Sequence, residues 1–216
     1  TGLPSYRGDA VNDIEPTVAA RTPDPRRMLQ AYYSSAATMR LLDVHTRGGM
    51  ADLALVHDWN KDFVRASPAG ERYERLAQDI DRALAFMRAC GVDVDHEQTM
   101  HSVEFFASHE ALLLDYEAAL TRYDEDRGTA YDLSGHMVWI GERTRDLDGA
   151  HVAFASQIAN PIGVKLGPST TAAEAVAIAE RLDPHRTPGR LSFISRMGAG
   201  AIRDNLPDLV RGVTDA

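Results

Sequence analysis

Cysteine is almost missing from this 216-residue chain: Cys90 stands alone, which excludes an internal disulfide and any multi-cysteine zinc site. Beside Gly91, near an expected helix end, it reads as a small buried side chain rather than a nucleophile. Basic charge is also short. Lys and Arg number 23 against 32 Asp and Glu, and the net charge of −9 argues against a nucleic-acid surface while leaving room for a local cationic pocket. No apolar run approaches the roughly 18 residues of a membrane span. No charged-then-apolar leader opens the chain, so no signal peptide is expected and a cytoplasmic location is the default. His57-Asp58 and Ser108-His109-Glu110 invite a catalytic triad, but no Gly-x-Ser-x-Gly elbow accompanies them. The eight histidines lack His-x-x-x-His spacing. Gly198-Ala199-Gly200 lacks the rest of a dinucleotide fingerprint and reads as a loop leading into a helix.

The length suits one domain with a substantial core. Residues 1–25 are turn-rich, with Tyr6, Val11 and Ile14 as anchors. Asp24-Pro25 opens a helix to about Leu42, Asp24 serving as N-cap, and Gly48-Gly49 breaks it. Leu53 to Val56 is ambiguous between strand and helix. A second helix follows Ser67-Pro68 and runs to Met87, with Leu76, Ile80, Leu84 and Met87 as its apolar stripe. From about residue 100 the period changes. Strand-like runs at His101–Ser108, Met137–Ile140, Pro161–Val164 and Leu191–Ser195 alternate with helical runs at Ala111–Arg122, Gly149–Ala159, Thr171–Leu182 and Ala201–Val213. Thr170 or Thr171 with Glu174 resembles a capping box.

Strand, loop and helix repeated with short connections signal a parallel sheet of α/β class. The strand-end charges point to a (β/α) barrel, of which this chain supplies about four βα units (100–216) behind a loop and helical insertion (1–99) in one partial domain. A closed barrel needs eight such units. Each strand delivers charge where it ends: Glu110 after the first, Glu142 and Arg143 after the second, Lys165 after the third and Arg196 after the fourth. Parallel crossovers put those ends on one rim, where barrel enzymes build their sites. Two arginines, a lysine and two glutamates suit a small, multiply anionic substrate, since Arg grips phosphate or carboxylate through its planar fork. His136 opens a strand at the end away from that rim and reads as structural. His151, in the following helix, reads as solvated or capping.

Several stretches taken together resemble the class II, plant and actinobacterial type, 3-deoxy-D-arabino-heptulosonate 7-phosphate (DAHP) synthases. They are Ser5–Asp9, Ala107–Leu114, Trp139–Arg145, Asp148–His151, Gly163–Pro168, Arg181–Pro184 and Ser195–Gly198. The resemblance implies that these βα units are central units of a (β/α)8 TIM barrel. The activity it implies is condensation of phosphoenolpyruvate with erythrose 4-phosphate, the first step of the shikimate route to aromatic compounds. It implies that Glu142, Arg143, Lys165 and Arg196 bind phosphoenolpyruvate. It gives catalytic parts to Lys165 (also a proton donor), Glu142 (also a holder of water) and Glu110. It also implies a divalent metal, manganese or cobalt, whose family ligands have no counterpart in this chain. Cys90 does not match, because it follows a helix well before the first strand. The chain therefore reads as the middle of a longer synthase, inactive by itself. A homo-oligomer is expected, and a chorismate mutase partner is possible in actinobacterial relatives. No nucleic-acid or membrane partner is expected. Val103–Phe106 and Ala199-Gly200 depart from the housekeeping pattern, which keeps a secondary-metabolic paralogue (aminoDAHP or phenazine pathway) as an alternative. A non-catalytic phosphoenolpyruvate-binding fragment is another.

Overall fold

The computed structural model describes residues 2–3, 7–50, 66–94, 96–97 and 102–216. Tyr6, Leu53–Val56, His57-Asp58 and His101 lie outside them. The chain divides into two compact units, Thr1–Phe105 and Phe106–Ala216.

In the first unit a short helix α1 (Val18–Arg21) precedes the long α2 (Arg26–His45), which passes into a π-helical turn at Thr46–Met50. The turn-rich opening is anchored by Asn12 rather than by Ile14. Asn12 is buried, donates to the Arg21 carbonyl and accepts from the Arg7 amide, whereas Ile14 is exposed. Pro25, not Asp24, occupies the cap position of α2. Asp24 acts one residue earlier, accepting from the Arg26 amide and pairing with the Arg26 guanidinium. Helix α3 (Gly70–Ala89) buries Ala77 and Leu84, while Leu76 is exposed. Ile80 and Met87 are half-buried, so the expected stripe holds except that Ala77 takes the inward place of Leu76. Cys90 follows α3 and is exposed, contrary to its expected burial, because it sits where the helix has already ended.

The second unit carries six strands: β1 (Ser108–Glu110), β2 (Thr121–Asp124), β3 (Thr129–Asp132), β4 (Met137–Ile140), β5 (Ile162–Leu166) and β6 (Leu191–Ser195). Four of them form a parallel sheet in the order β1-β4-β5-β6, and β2-β3 is a separate antiparallel hairpin. The helices are α4 (Leu114–Leu120), α5 (Ala150–Ala155), α6 (Ala172–Leu182) and α7 (Gly198–Asp215). This is a mixed α/β unit with the expected parallel strands at the expected places.

Register fixes which side chains share a face. Val138, Ile162 and Leu191 stand side by side, as do Ile140, Val164 and Phe193. With Leu166 they form the face packed against Val152 and Ala155 of α5, Ala175, Ile178 and Leu182 of α6, and Leu209 of α7. Burying each such branched side chain contributes about 1.5–3 kcal/mol. Because strand side chains alternate, the intervening residues take the other face: Glu110, Trp139, Gly163, Lys165 and Ile194. Thr171 and Glu174 form a complete capping box at the start of α6.

Three expectations change. The first strand is short, because β4, its only partner among the described residues, starts at Met137 opposite Ser108. Val103 to Phe106 are exposed, and His109 and Glu110 lie inside the strand rather than after it. The helix expected over Ala111–Arg122 covers only Leu114–Leu120 before the chain turns into the hairpin. Tyr and Thr at Thr121, Tyr123, Thr129 and Tyr131, around the turn-forming Asp124–Gly128, favour strands there. Finally, Gly198–Gly200 is the first turn of α7 rather than a loop.

Candidate active site at the strand ends

Strands β1, β4 and β5 meet over a single aromatic ring. Trp139 lies between Glu110 and Gly163 in register. A Cβ on Gly163 would stand 2.8 Å from Trp139 Cβ and 3.0 Å from Ile194 Cδ1, so glycine is what lets these side chains close over β5. Lys165, two residues further along β5, leans back across the indole. Its Nζ is 5.1 Å from the ring centroid and 2.8 Å from Glu110 Oε2. Both charged side chains are largely buried, with Lys165 18% and Glu110 29% exposed, so the pair is shielded from water more than a surface ion pair. The indole Nε1–H is buried and has no hydrogen-bond partner among the described residues. Sequence reading missed Trp139 as a site residue, although a Trp inside a run ending in Gly-Glu-Arg was a usable signal.

Glu142 opens a short 3-10 turn (Glu142–Thr144) after β4. Its carboxylate crosses to the end of β5 and accepts the Gly167 amide through Oε2. A Cβ on Gly167 would lie 2.6 Å from Glu142 Oε1, so this crossing too depends on glycine. Gly141 does the same for Glu110, whose carboxyl carbon lies 3.0 Å from where its Cβ would be. Arg143 and Arg196 leave the sheet at the same end, Arg143 after β4 and Arg196 after β6. Both are exposed and neither has an ion-pair partner among the described residues. The structure thus joins Glu110 to Lys165, docks Glu142 on Gly167, and leaves two guanidiniums uncommitted.

A second polar cluster lies on the opposite face of β1. His109 points toward α4 and the hairpin, where its Nε2 meets Glu117 at 2.9 Å and Ser134 Oγ at 3.3 Å. Glu117 and Asp132 are each 1% exposed. The hydrogen bond to Glu117 raises the His109 imidazole above its ordinary value, against the effect of burial. Burial works to raise Glu117, but its hydrogen bonds to His109, Ser134 and Asp132 hold it below the usual range. Burial pushes Asp132 up to about 6, opposed by the Ser134 amide and assisted by the neighbouring Glu117 carboxylate. Its Oδ2 is buried with no ordinary hydrogen bond among the described residues. A proton shared by these two carboxyls therefore resides on Asp132.

The stability consequence has a definite sign. Asp132 holds its proton more tightly folded than unfolded, so its contribution is complete below about pH 4 and is lost as pH rises through about 6. His109 extends the loss upward from about 6.5. The lowered Glu117 acts oppositely, but only below about 4.5. Denaturant titrations are expected to show stability falling from pH 4.5 to 7, by something on the order of 2 kcal/mol. Asp132→Asn keeps the acceptor for Ser134 and should flatten that fall.

His136 and His151 make local contacts away from both clusters. His136 Nδ1 accepts the Ala107 amide, and His151 Nε2 is half-buried against the Leu112 carbonyl at 3.2 Å rather than solvated or capping. Among the described residues no three or more His, Cys, Asp or Glu side chains are grouped to hold a metal ion. A 540 Å³ pocket lined by Asp183, Arg186, Leu191 and Val213 lies at the starting end of β6, away from the charged strand ends. Among the described residues no helix is long and apolar enough to cross a membrane.

The fold thus defines a mixed α/β protein whose parallel sheet collects paired and unpaired charges at its strand ends among the described residues. The chain matches the class-II DAHP synthetase family over residues 1–216, and it belongs to that family. It is 64% identical over 212 residues to phospho-2-dehydro-3-deoxyheptonate aldolase of Streptomyces coelicolor, covering 98% of this chain and 46% of the relative. It is 55% identical over 217 residues to phospho-2-dehydro-3-deoxyheptonate aldolase AroG of Mycolicibacterium smegmatis, with the same coverages. The chain therefore spans about half the length of the curated relatives it matches.

Proposed function

We propose that these residues form the phosphoenolpyruvate-binding wall of a DAHP synthase, set in a (β/α)8 barrel completed by further chain. Such an enzyme joins phosphoenolpyruvate to erythrose 4-phosphate and releases phosphate. The observation that carries this reading is the pairing pattern at the strand ends. Lys165 is balanced by Glu110, whereas Arg143 and Arg196 have no balancing carboxylate among the described residues. Those two guanidiniums supply the net positive charge that a phosphate and a carboxylate on one small molecule require. Lys165 carries its ammonium above the Trp139 ring, where it can give a proton to the aldehyde oxygen as the methylene carbon of phosphoenolpyruvate bonds to the carbonyl carbon. Glu142 is held at the end of β5 and suits the role of orienting a water or the adjacent Arg143. Glu110 fixes the Lys165 ammonium.

The family also implies a divalent metal, manganese or cobalt. The described residues do not fit one: Glu110 and Glu142 are held apart by separate partners, and no third ligand joins either.

The test is the full-length protein carrying this sequence, assayed for loss of phosphoenolpyruvate absorbance. Consumption that requires erythrose 4-phosphate supports the reading, and its absence in a folded preparation removes it. Arg143→Ala and Arg196→Ala are each expected to raise the KM for phosphoenolpyruvate at least tenfold while changing that for the aldehyde little. Losing one charge-assisted contact of about 1.5–3 kcal/mol corresponds to that range.

A further inference from the structure

Arg145 lies two residues beyond Arg143, and the structure gives it a different position. The 3-10 turn carries Arg143 out to solvent and turns Arg145 under Glu142, where its side chain is 14% exposed. A guanidinium so far out of water needs carboxylates beside it. It has two. Nη2 donates to Glu142 Oε1 at 3.4 Å and Nε is 3.3 Å from Oε2. Nη1 is 3.8 Å from Glu174 Oε1.

Glu174 is itself fixed. Its other oxygen, Oε2, accepts the Thr171 amide at 2.8 Å and the Thr171 hydroxyl at 3.0 Å, completing the α6 capping box. The connections run from the α6 N-cap through Glu174 to Arg145, from Arg145 to Glu142, and from Glu142 to the Gly167 amide. Glu142 is thus clamped from below by a cation and from the side by a backbone N–H. Its own backbone turn makes no side-chain cap that would do the same.

We propose that Arg145 is a positioning residue for Glu142, and that Glu174 at the α6 N-terminus holds Arg145 in place. The role of Glu142 rests on the proposed function, but the clamp itself rests on geometry alone. The helix start thereby sets where the Glu142 carboxylate stands on the rim. A misplacement of about 1 Å at such a group costs on the order of a hundredfold in rate.

Two readouts test this in the full-length protein. The first needs no activity: amide hydrogen exchange at Gly167, whose N–H is covered by Glu142. Arg145→Ala is expected to speed that exchange at least tenfold, and Arg145→Lys less, since ammonium keeps the charge without the fork. The second is kinetic. Arg145→Ala should lower kcat by about 10- to 100-fold with the KM for phosphoenolpyruvate within threefold, and Arg145→Lys should recover part of it. Glu174→Gln preserves the capping box, because Gln also serves there, yet removes the charge beside Arg145, so a smaller fall in kcat is expected. In a Glu142→Gln background, Arg145→Ala should add little. Unchanged Gly167 exchange in Arg145→Ala, or a kcat loss that adds in full to that of Glu142→Gln, overturns the proposal. A wild-type protein without condensation activity overturns the functional reading instead, and the exchange measurement still decides the clamp.

Discussion

Lys165→Met is expected to lower kcat/KM by about a thousandfold, the middle of the range for losing a positioned proton donor. Methionine keeps most of the stem that crosses Trp139, so packing over the indole is largely retained. The ammonium is lost, and Glu110 is left without its partner at 2.8 Å in a cramped notch beside Gly141. That stranded carboxylate should destabilise the protein by about 1–3 kcal/mol. The double variant Lys165→Met/Glu110→Gln separates the two effects. It removes both charges together, so the melting temperature should return toward wild type while activity stays low. If activity returned along with the melting temperature, Lys165 would be a structural partner of Glu110 only.

The positions of these two residues were legible in the sequence, but their contact was not. Met137–Ile140 and Leu191–Ser195 stand where expected, since short apolar runs between turns permit little else. Glu142, Arg143 and Arg196 therefore follow strand ends as read, whereas β5 runs on to Leu166 and holds Lys165 inside it. Which of them touch depends on register between strands. Glu110 aligns with Trp139 and Gly163, so a lysine two residues beyond Gly163 reaches it across the ring. Alternation within one strand cannot show that. The polar hairpin was hidden for a related reason. Thr121–Asp124 and Thr129–Asp132 carry too few apolar residues to alternate visibly, and they gain strand structure by pairing with each other. Arg145 and Glu174 were read separately, one as part of a motif and the other as a cap. Their meeting follows from how α6 starts after β5.

The same limitation concealed Glu117, which reads as an ordinary helix surface residue and is almost wholly buried. Its replacement is expected to have the largest effect on folding. Glu117→Ala leaves His109 Nε2 without its 2.9 Å partner, leaves Asp132 beside an empty space, and opens a void beneath β1. Removing one member of a buried charged group costs about 3 kcal/mol, a large part of the 5–15 kcal/mol that holds a typical domain. His109 is 35% exposed on its side chain, so water can recover some of its loss, which keeps the figure at the lower end of that range. Glu117→Gln should cost much less at neutral pH, because the amide oxygen still accepts from His109 and its amino group can donate to Asp132. Chemical denaturation of the three proteins orders them, with wild type and Gln close and Ala well below. Because Glu110 follows His109 in the same three-residue strand, a slackened β1 should also loosen the Lys165 contact. An Ala variant as stable as wild type would mean that the cluster contributes nothing net to folding, and that β1 is held by its pairing with β4 alone.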